Sequence, residues 1–206
     1  LEGAPGEGVL ARARQVTMGR RPRFTAESPA CRRQMQALVS WAVGLEPGWR
    51  DGGMSRFLSS DIQVCIVSFG GVGTTALLRF VSAHLRTNHP HDGDGVKHLR
   101  LPPVPSNPDL RCIYVYGDPV DAAISLFRRN LQVPQSEKLL CGRRPWAKPI
   151  SEGTTLDMYA AEGVDRFLFS EHFQNWRGKY VLNPTLFVRY ETLWEHLTDI
   201  VDFLGL

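Results

Sequence analysis

The stretch VCIVSFGGVGTTALLRF, Val64 to Phe80, decides the fold. Val64 to Val67 form an unbroken apolar run, without the polar alternation of a half-solvated strand, so they read as a strand buried on both faces. Three glycines within four positions then turn the chain. Beyond them, TTALLRFVSAHL sets Leu77, Leu78, Val81 and Leu85 on one helical face. Gly70, Gly71, Val72, Gly73, Thr74 and Thr75 therefore occupy a strand-to-helix corner, where unpaired amides and the helix dipole favour an anion.

Three phosphate-binding patterns compete for this corner. A Walker A loop needs G-x-x-x-x-G-K-[ST], and no lysine lies between Ser68 and Ala76. A dinucleotide fingerprint is matched in form by Gly71, Gly73 and Ala76. That pattern also needs an acid at the end of a second strand, whereas Asp92 and Asp94 sit in the polar loop RTNHPHDGDG with no strand before them. The third pattern is a loop that holds a 5'-phosphate-like group on its amides, with the Thr74 and Thr75 hydroxyls as added donors.

Outward from the corner the strand-helix alternation repeats. RCIYVYGD, Arg111 to Asp118, is a second buried strand, followed at once by the helix PVDAAISLFRRN with Pro119 in its first turn. TLFVRY, Thr185 to Tyr190, is a third, running into a helix from Glu191 whose stripe is Leu193, Trp194, Leu197, Ile200, Val201 and Leu204. Such units predict an α/β fold with a central parallel sheet flanked by helices. The segment 131–155, with Pro134, Pro145 and Pro149, reads as an irregular lid. Upstream, residues 1–29 read as an extended basic arm. Arginines 12, 14, 20, 21, 23, 32 and 33 face only Glu2, Glu7 and Glu27 before a helical stripe over Cys31, Met35, Leu38, Val39 and Ala42. The arm is a candidate protein-docking element, and 30–206 is expected to be one domain.

Composition narrows the function classes. The chain has 206 residues, 43% hydrophobic and 22% charged, enough for one domain with a full core. A net charge of +3 is too mild to mark a nucleic-acid binder. No run reaches the roughly 18 apolar residues a membrane span needs. Cys31, Cys65, Cys112 and Cys141 show no metal-ligand or redox spacing, so no metal is expected. The chain opens on Leu1, which leaves cytoplasm, organelle and Golgi lumen all open.

The order of the strand, GGVGTT, VKHLRLPPVP, IYVYGDPVDAAISLFRR, FSEHFQNW and LFVRYETLWEHLTDIVDFLGL resembles the sulfotransferase family over Gln63 to Leu206. The resemblance implies a P-loop-like architecture and 3'-phosphoadenosine 5'-phosphosulfate as sulfuryl donor, with an acceptor the sequence does not identify. It implies that Gly71 to Thr75 wrap the donor's 5'-phosphosulfate, that Ser125 binds its 3'-phosphate, that Tyr190 approaches its adenine, and that His98 is the general base. An imidazole suits that role because its ordinary pKa of about 6.5 leaves it largely neutral at pH 7. Two positions depart from the family pattern. Gly71 stands where the family has a lysine or arginine for the sulfuryl group, and Gly117 where it has the arginine for the 3'-phosphate. Each absence costs about 3 kcal/mol unless another group replaces it. Lys97, Arg100, Arg128, Arg129, Lys138, Arg143, Arg144 and Lys148 are the candidate replacements. Without one, the chain reads as a catalytically degenerate member kept as a structural or interaction module.

Overall fold

The computed structural model describes residues 58–103, 109–140, 148–178 and 181–206. The expected basic arm, the helical stripe from Cys31 to Ala42, Cys141, Arg143 and Arg144 lie outside the described residues.

Three strands, β1 (Val64–Ser68), β2 (Arg111–Tyr116) and β3 (Thr185–Arg189), form a parallel sheet in the order β1-β2-β3. Val64 pairs with Arg111 and Ser68 with Val115, while Cys112 pairs with Thr185 and Tyr116 with Arg189. β1 is buried along its whole length, as its unbroken apolar run requires. Cys65 and Cys112 are register partners with no solvent exposure, and both are free thiols. Helices α1 (Thr74–Ser82), α2 (Pro119–Arg128), α3 (Gln132–Leu140), α4 (Leu156–Glu162), α5 (Phe169–Arg177) and α6 (Leu197–Leu204) flank the sheet. In α1, Leu77, Leu78 and Val81 are fully buried. Each such side chain contributes about 1.5–3 kcal/mol by leaving water. Tyr114 of β2 packs its ring 5.3 Å from Trp176 of α5 and 5.5 Å from Phe187 of β3.

β1 is an edge strand of this sheet, and the chain after α1 covers that edge. Gln63 N and Val64 N donate to Arg86 O. The Asn88 carboxamide accepts from Ile66 N at 2.8 Å and donates to Ile66 O at 3.0 Å, imitating a neighbouring strand. Ser68 N then donates to Lys97 O at 3.0 Å. The polar loop 86–98 is thus a surrogate fourth strand, which hides an edge that would otherwise offer unpaired backbone groups. It also carries Lys97 and His98 to the C-terminal end of β1.

Two stretches differ from the expectation. Part of the segment expected as an irregular lid is helical, because Pro134 falls in the first turn of α3, where no intrahelical N–H bond is lost. Ser136 Oγ of this helix accepts from Ile150 N at 2.9 Å and ties the returning chain to it. After β3, the helix expected from Glu191 begins only at Leu197. Between them Leu193 N, Glu195 N and His196 N bond three residues back, in tighter turns than an α-helix. Glu191 instead uses its carboxylate to accept from Asp118 N at 2.8 Å and Arg189 Nε at 3.0 Å.

Asn88→Ala leaves Ile66 N–H and C=O buried without partners. Chemical denaturation is expected to show a loss of about 2–4 kcal/mol, against near-neutrality for an exposed substitution such as Ser82→Ala.

Candidate active site

Ser68, fully buried at the end of β1, organises the corner. Its Oγ accepts from Gly70 N at 3.2 Å and lies 2.7 Å from Thr74 Oγ1, which turns the chain from strand to α1. Its carbonyl accepts from His98 Nδ1 at 2.8 Å. Gly70, Gly71 and Gly73 all have positive φ, at 99°, 78° and 62°, and all three make room for neighbours, Gly70 for the Gln135 carboxamide. A Cβ on Gly71 would lie 2.7 Å from Ala122 O of α2. On Gly73 it would lie 2.3 Å from the Tyr190 ring. Gly73 is also the N-cap of α1, so the amides of Thr74 and Thr75 have no intrahelical acceptors, while Ala76 N donates to Gly73 O at 3.0 Å.

The loop and His98 line one cavity of about 420 Å³. Its cations come from outside the loop. Lys97 Nζ donates to Thr75 Oγ1 at 2.5 Å and to Pro90 O at 3.0 Å, which puts an ammonium beside the N-terminus of α1. Burial lowers the Lys97 pKa, and the carboxylate of Asp92 acts against that shift. Arg129, the C-cap of α2, and Lys138 of α3 line the same cavity. Lys97, Arg129 and Lys138 are thus brought together, whereas Arg100, Arg128 and Lys148 do not line it.

His98 is half-buried beside Lys97. Because Ser68 O can only accept, the Nδ1 of His98 carries the proton, and in the neutral ring Nε2 is the lone-pair nitrogen. Burial lowers its pKa to about 4, despite the Ser68 bond and the Asp92 charge, which favour the cation. At pH 7 the ring is neutral and able to accept a proton. Two side chains of α5, one turn apart, hold the peptide that carries it. Trp176 Nε1 donates to Leu99 O at 2.8 Å, and His172 Nε2 lies 3.4 Å from His98 O. His172 Nδ1 is bonded in turn to the buried Tyr114 hydroxyl at 2.8 Å.

The remaining expected site residues sit nearby rather than in the cavity. Ser125 of α2 is half-buried, and its carbonyl accepts from Arg129 Nε at 2.9 Å. Tyr190 is 43% exposed and lies over Gly73. Thr74 is buried with its hydroxyl on Ser68, which leaves Thr75 as the threonine in contact with a cation. Gly117 faces Glu191, whose Oε1 would lie 3.0 Å from a Cβ there. Sequence reasoning missed Gln135, which donates to Phe69 O at 3.0 Å and packs α3 onto Gly70. It also missed Asp92 as a cavity residue, since a glycine-rich polar loop gave no sign of folding against the corner. Among the described residues, no group of three or more His, Cys, Asp or Glu is placed to share a metal ion, and no helix is long and apolar enough to cross a membrane.

A family model described as the sulfotransferase domain matches residues 96–206, more than half of the chain. The match takes in His98, Ser125, Gly117 and Tyr190 and begins after the glycine loop, so the loop is read from its own geometry. No curated protein matches the chain.

Gly71→Lys does not restore the family cation, because the position combines a positive φ with contact against the α2 backbone. Gly71→Lys and Gly71→Ala are both expected to lose about 2 kcal/mol or more in chemical denaturation, the alanine showing that the loss belongs to the Cβ and not to the charge.

Proposed function

The chain belongs to the sulfotransferase family, and from that premise we propose that the cavity transfers a sulfuryl group from 3'-phosphoadenosine 5'-phosphosulfate to an acceptor hydroxyl or amine. The observation that carries the reading is the Lys97 ammonium on Thr75 Oγ1, next to His98 at the N-terminus of α1. It supplies the positive charge that a glycine at position 71 cannot. A glycine cradle closed to any Cβ, the first amides of α1 and a half-buried ammonium suit an oxyanion, and each is fixed before a ligand arrives.

In this reading the donor supplies an activated sulfuryl group, and the chain's own residues do three things. Gly71 to Thr75 and Lys97 hold the 5'-phosphosulfate and take up charge that grows on the bridging oxygen as its bond to sulfur breaks. His98 Nε2 accepts the proton of the acceptor O–H or N–H as the new bond to sulfur forms, and adenosine 3',5'-bisphosphate leaves with the bond electrons. Ser68 O, bonded to Nδ1, keeps the lone pair on Nε2. Burial opposes the imidazolium, and the negative charge of the bound donor offsets that penalty. Tyr190, over Gly73, and Ser125 of α2 are assigned to the adenosine and the 3'-phosphate.

The alternative, a degenerate member kept as a scaffold, draws on Gly71 and Gly117, where the family's cations are missing and where α2 and Glu191 crowd the space a side chain would need. Binding and turnover separate the two. Calorimetry with adenosine 3',5'-bisphosphate is expected to give measurable affinity. Transfer of radiolabelled sulfate from the donor to a panel of hydroxyl and amine acceptors should fall roughly 10²-fold or more in His98→Ala, with nucleotide affinity retained. No binding at millimolar nucleotide supports the scaffold.

A further inference from the structure

Asp92 is an unexpected neighbour for an anion. It is the one carboxylate among the described residues lining the cavity that otherwise gathers Lys97, Arg129 and Lys138. Its side chain is only 7% exposed, so water screens it little. Oδ1 accepts from the backbone N of Lys97 at 3.1 Å, and Oδ2 accepts from Lys138 Nζ at 2.7 Å. The turn that holds it is tightly bonded. Asp92 N donates to His89 O, Gly95 N donates to Asp92 O, and Asp94 accepts from His89 N at 2.6 Å and Val96 N at 3.2 Å. Asp92 itself has φ 60°, a conformation aspartate tolerates better than most residues.

The two ends of the ion pair are therefore unequal. The carboxylate is fixed and buried, while Lys138, which also lines the cavity, has 46% of its side chain exposed. A half-exposed pair contributes little to stability. At the buried Asp92 end water screens less, so that carboxylate acts strongly on charges beside it. If the lysine swings away, the carboxylate keeps its bond to Lys97 N and its attraction to the Lys97 ammonium.

We propose that Lys138 is an anion ligand of this cavity held in reserve by Asp92: an oxyanion of the bound ligand takes the ammonium from the carboxylate, and Asp92 lowers the cavity's anion affinity by competing for it. The inference deepens the reading above and rests on the cavity being an anion site. It gives the site a charge that is neutralised at rest and released on binding, and it weakens the hold on a product anion.

The test is calorimetric titration at low salt with two probes, adenosine 3',5'-bisphosphate and inorganic pyrophosphate, on the unmutated chain, Lys138→Met, Asp92→Asn and the double variant. Asparagine keeps an oxygen for Lys97 N–H and removes the charge. Lys138→Met is expected to weaken binding roughly 10-fold, as for loss of a charge-assisted hydrogen bond. Asp92→Asn is expected to tighten it several-fold. The loss on removing Lys138 should be larger in the Asp92→Asn background, where no carboxylate competes. Lys138→Arg should restore most of the affinity, which keeps the test decisive even where Asp92→Asn fails to fold. Unchanged affinity in Lys138→Met, or no tightening in a folded Asp92→Asn, overturns the proposal. Pyrophosphate binding with this pattern, without nucleotide binding, supports the exchange and sinks the donor reading. Nucleotide binding indifferent to both residues does the reverse, and no binding of either probe overturns both.

Discussion

Four hydrogen bonds converge on Ser68. Its amide donates to Lys97 O, its carbonyl accepts from His98 Nδ1, and its hydroxyl is shared by Gly70 N and Thr74 Oγ1. Each is worth only about 1 kcal/mol net, but leaving any of these buried groups unmade costs more than the bond returns. The end of β1 is thereby bound to the start of α1 and to the loop that covers the sheet edge. The position of His98, the tautomer of its ring and the reach of Lys97 all follow from that junction. Asn88 supports it two residues earlier on the same strand by occupying the backbone of Ile66.

The junction also brings a cation to a glycine corner that has no lysine of its own. At Gly71 the loop lies so close to α2 that a side chain would meet the Ala122 carbonyl. The charge comes instead from Lys97, a residue of the surrogate strand, through the hydroxyl of Thr75. A cation delivered this way depends on the edge loop staying docked, so the hydrogen bonds along β1 bear on ligand binding as well as on stability. The cation is also half-buried, which makes its charge costly alone and well suited to an anionic partner.

The three parallel strands were legible because β1 and the core of β2 are unbroken apolar runs, and Pro119 announced the first turn of α2, which the Asp118 side chain caps. The sulfotransferase family was legible from the order of its motifs. Which of eight basic residues reaches the loop was not. The answer depends on the path of residues 86–98, and that path is set by a side-chain contact between Asn88 and Ile66, 22 positions apart. Pro134 misled in the opposite way, since a proline in a first turn breaks nothing. The helix expected from Glu191 starts late because that carboxylate serves Asp118 and Arg189 from a tighter turn. Gly71 read as a missing charge, and only the packing against α2 reveals it as a position with no room for one.

On the proposed reading, Lys97 supplies the charge the glycine loop lacks. Its most direct test is the salt dependence of adenosine 3',5'-bisphosphate affinity, measured by calorimetry for the unmutated chain and Lys97→Met. Affinity is expected to be roughly 10-fold or more lower in Lys97→Met at low salt, with a shallower decline as salt is added, because one charge-assisted contact and its screening are lost together. Equal affinities with parallel salt dependences would contradict it, and the anion would then be held by the loop without Lys97.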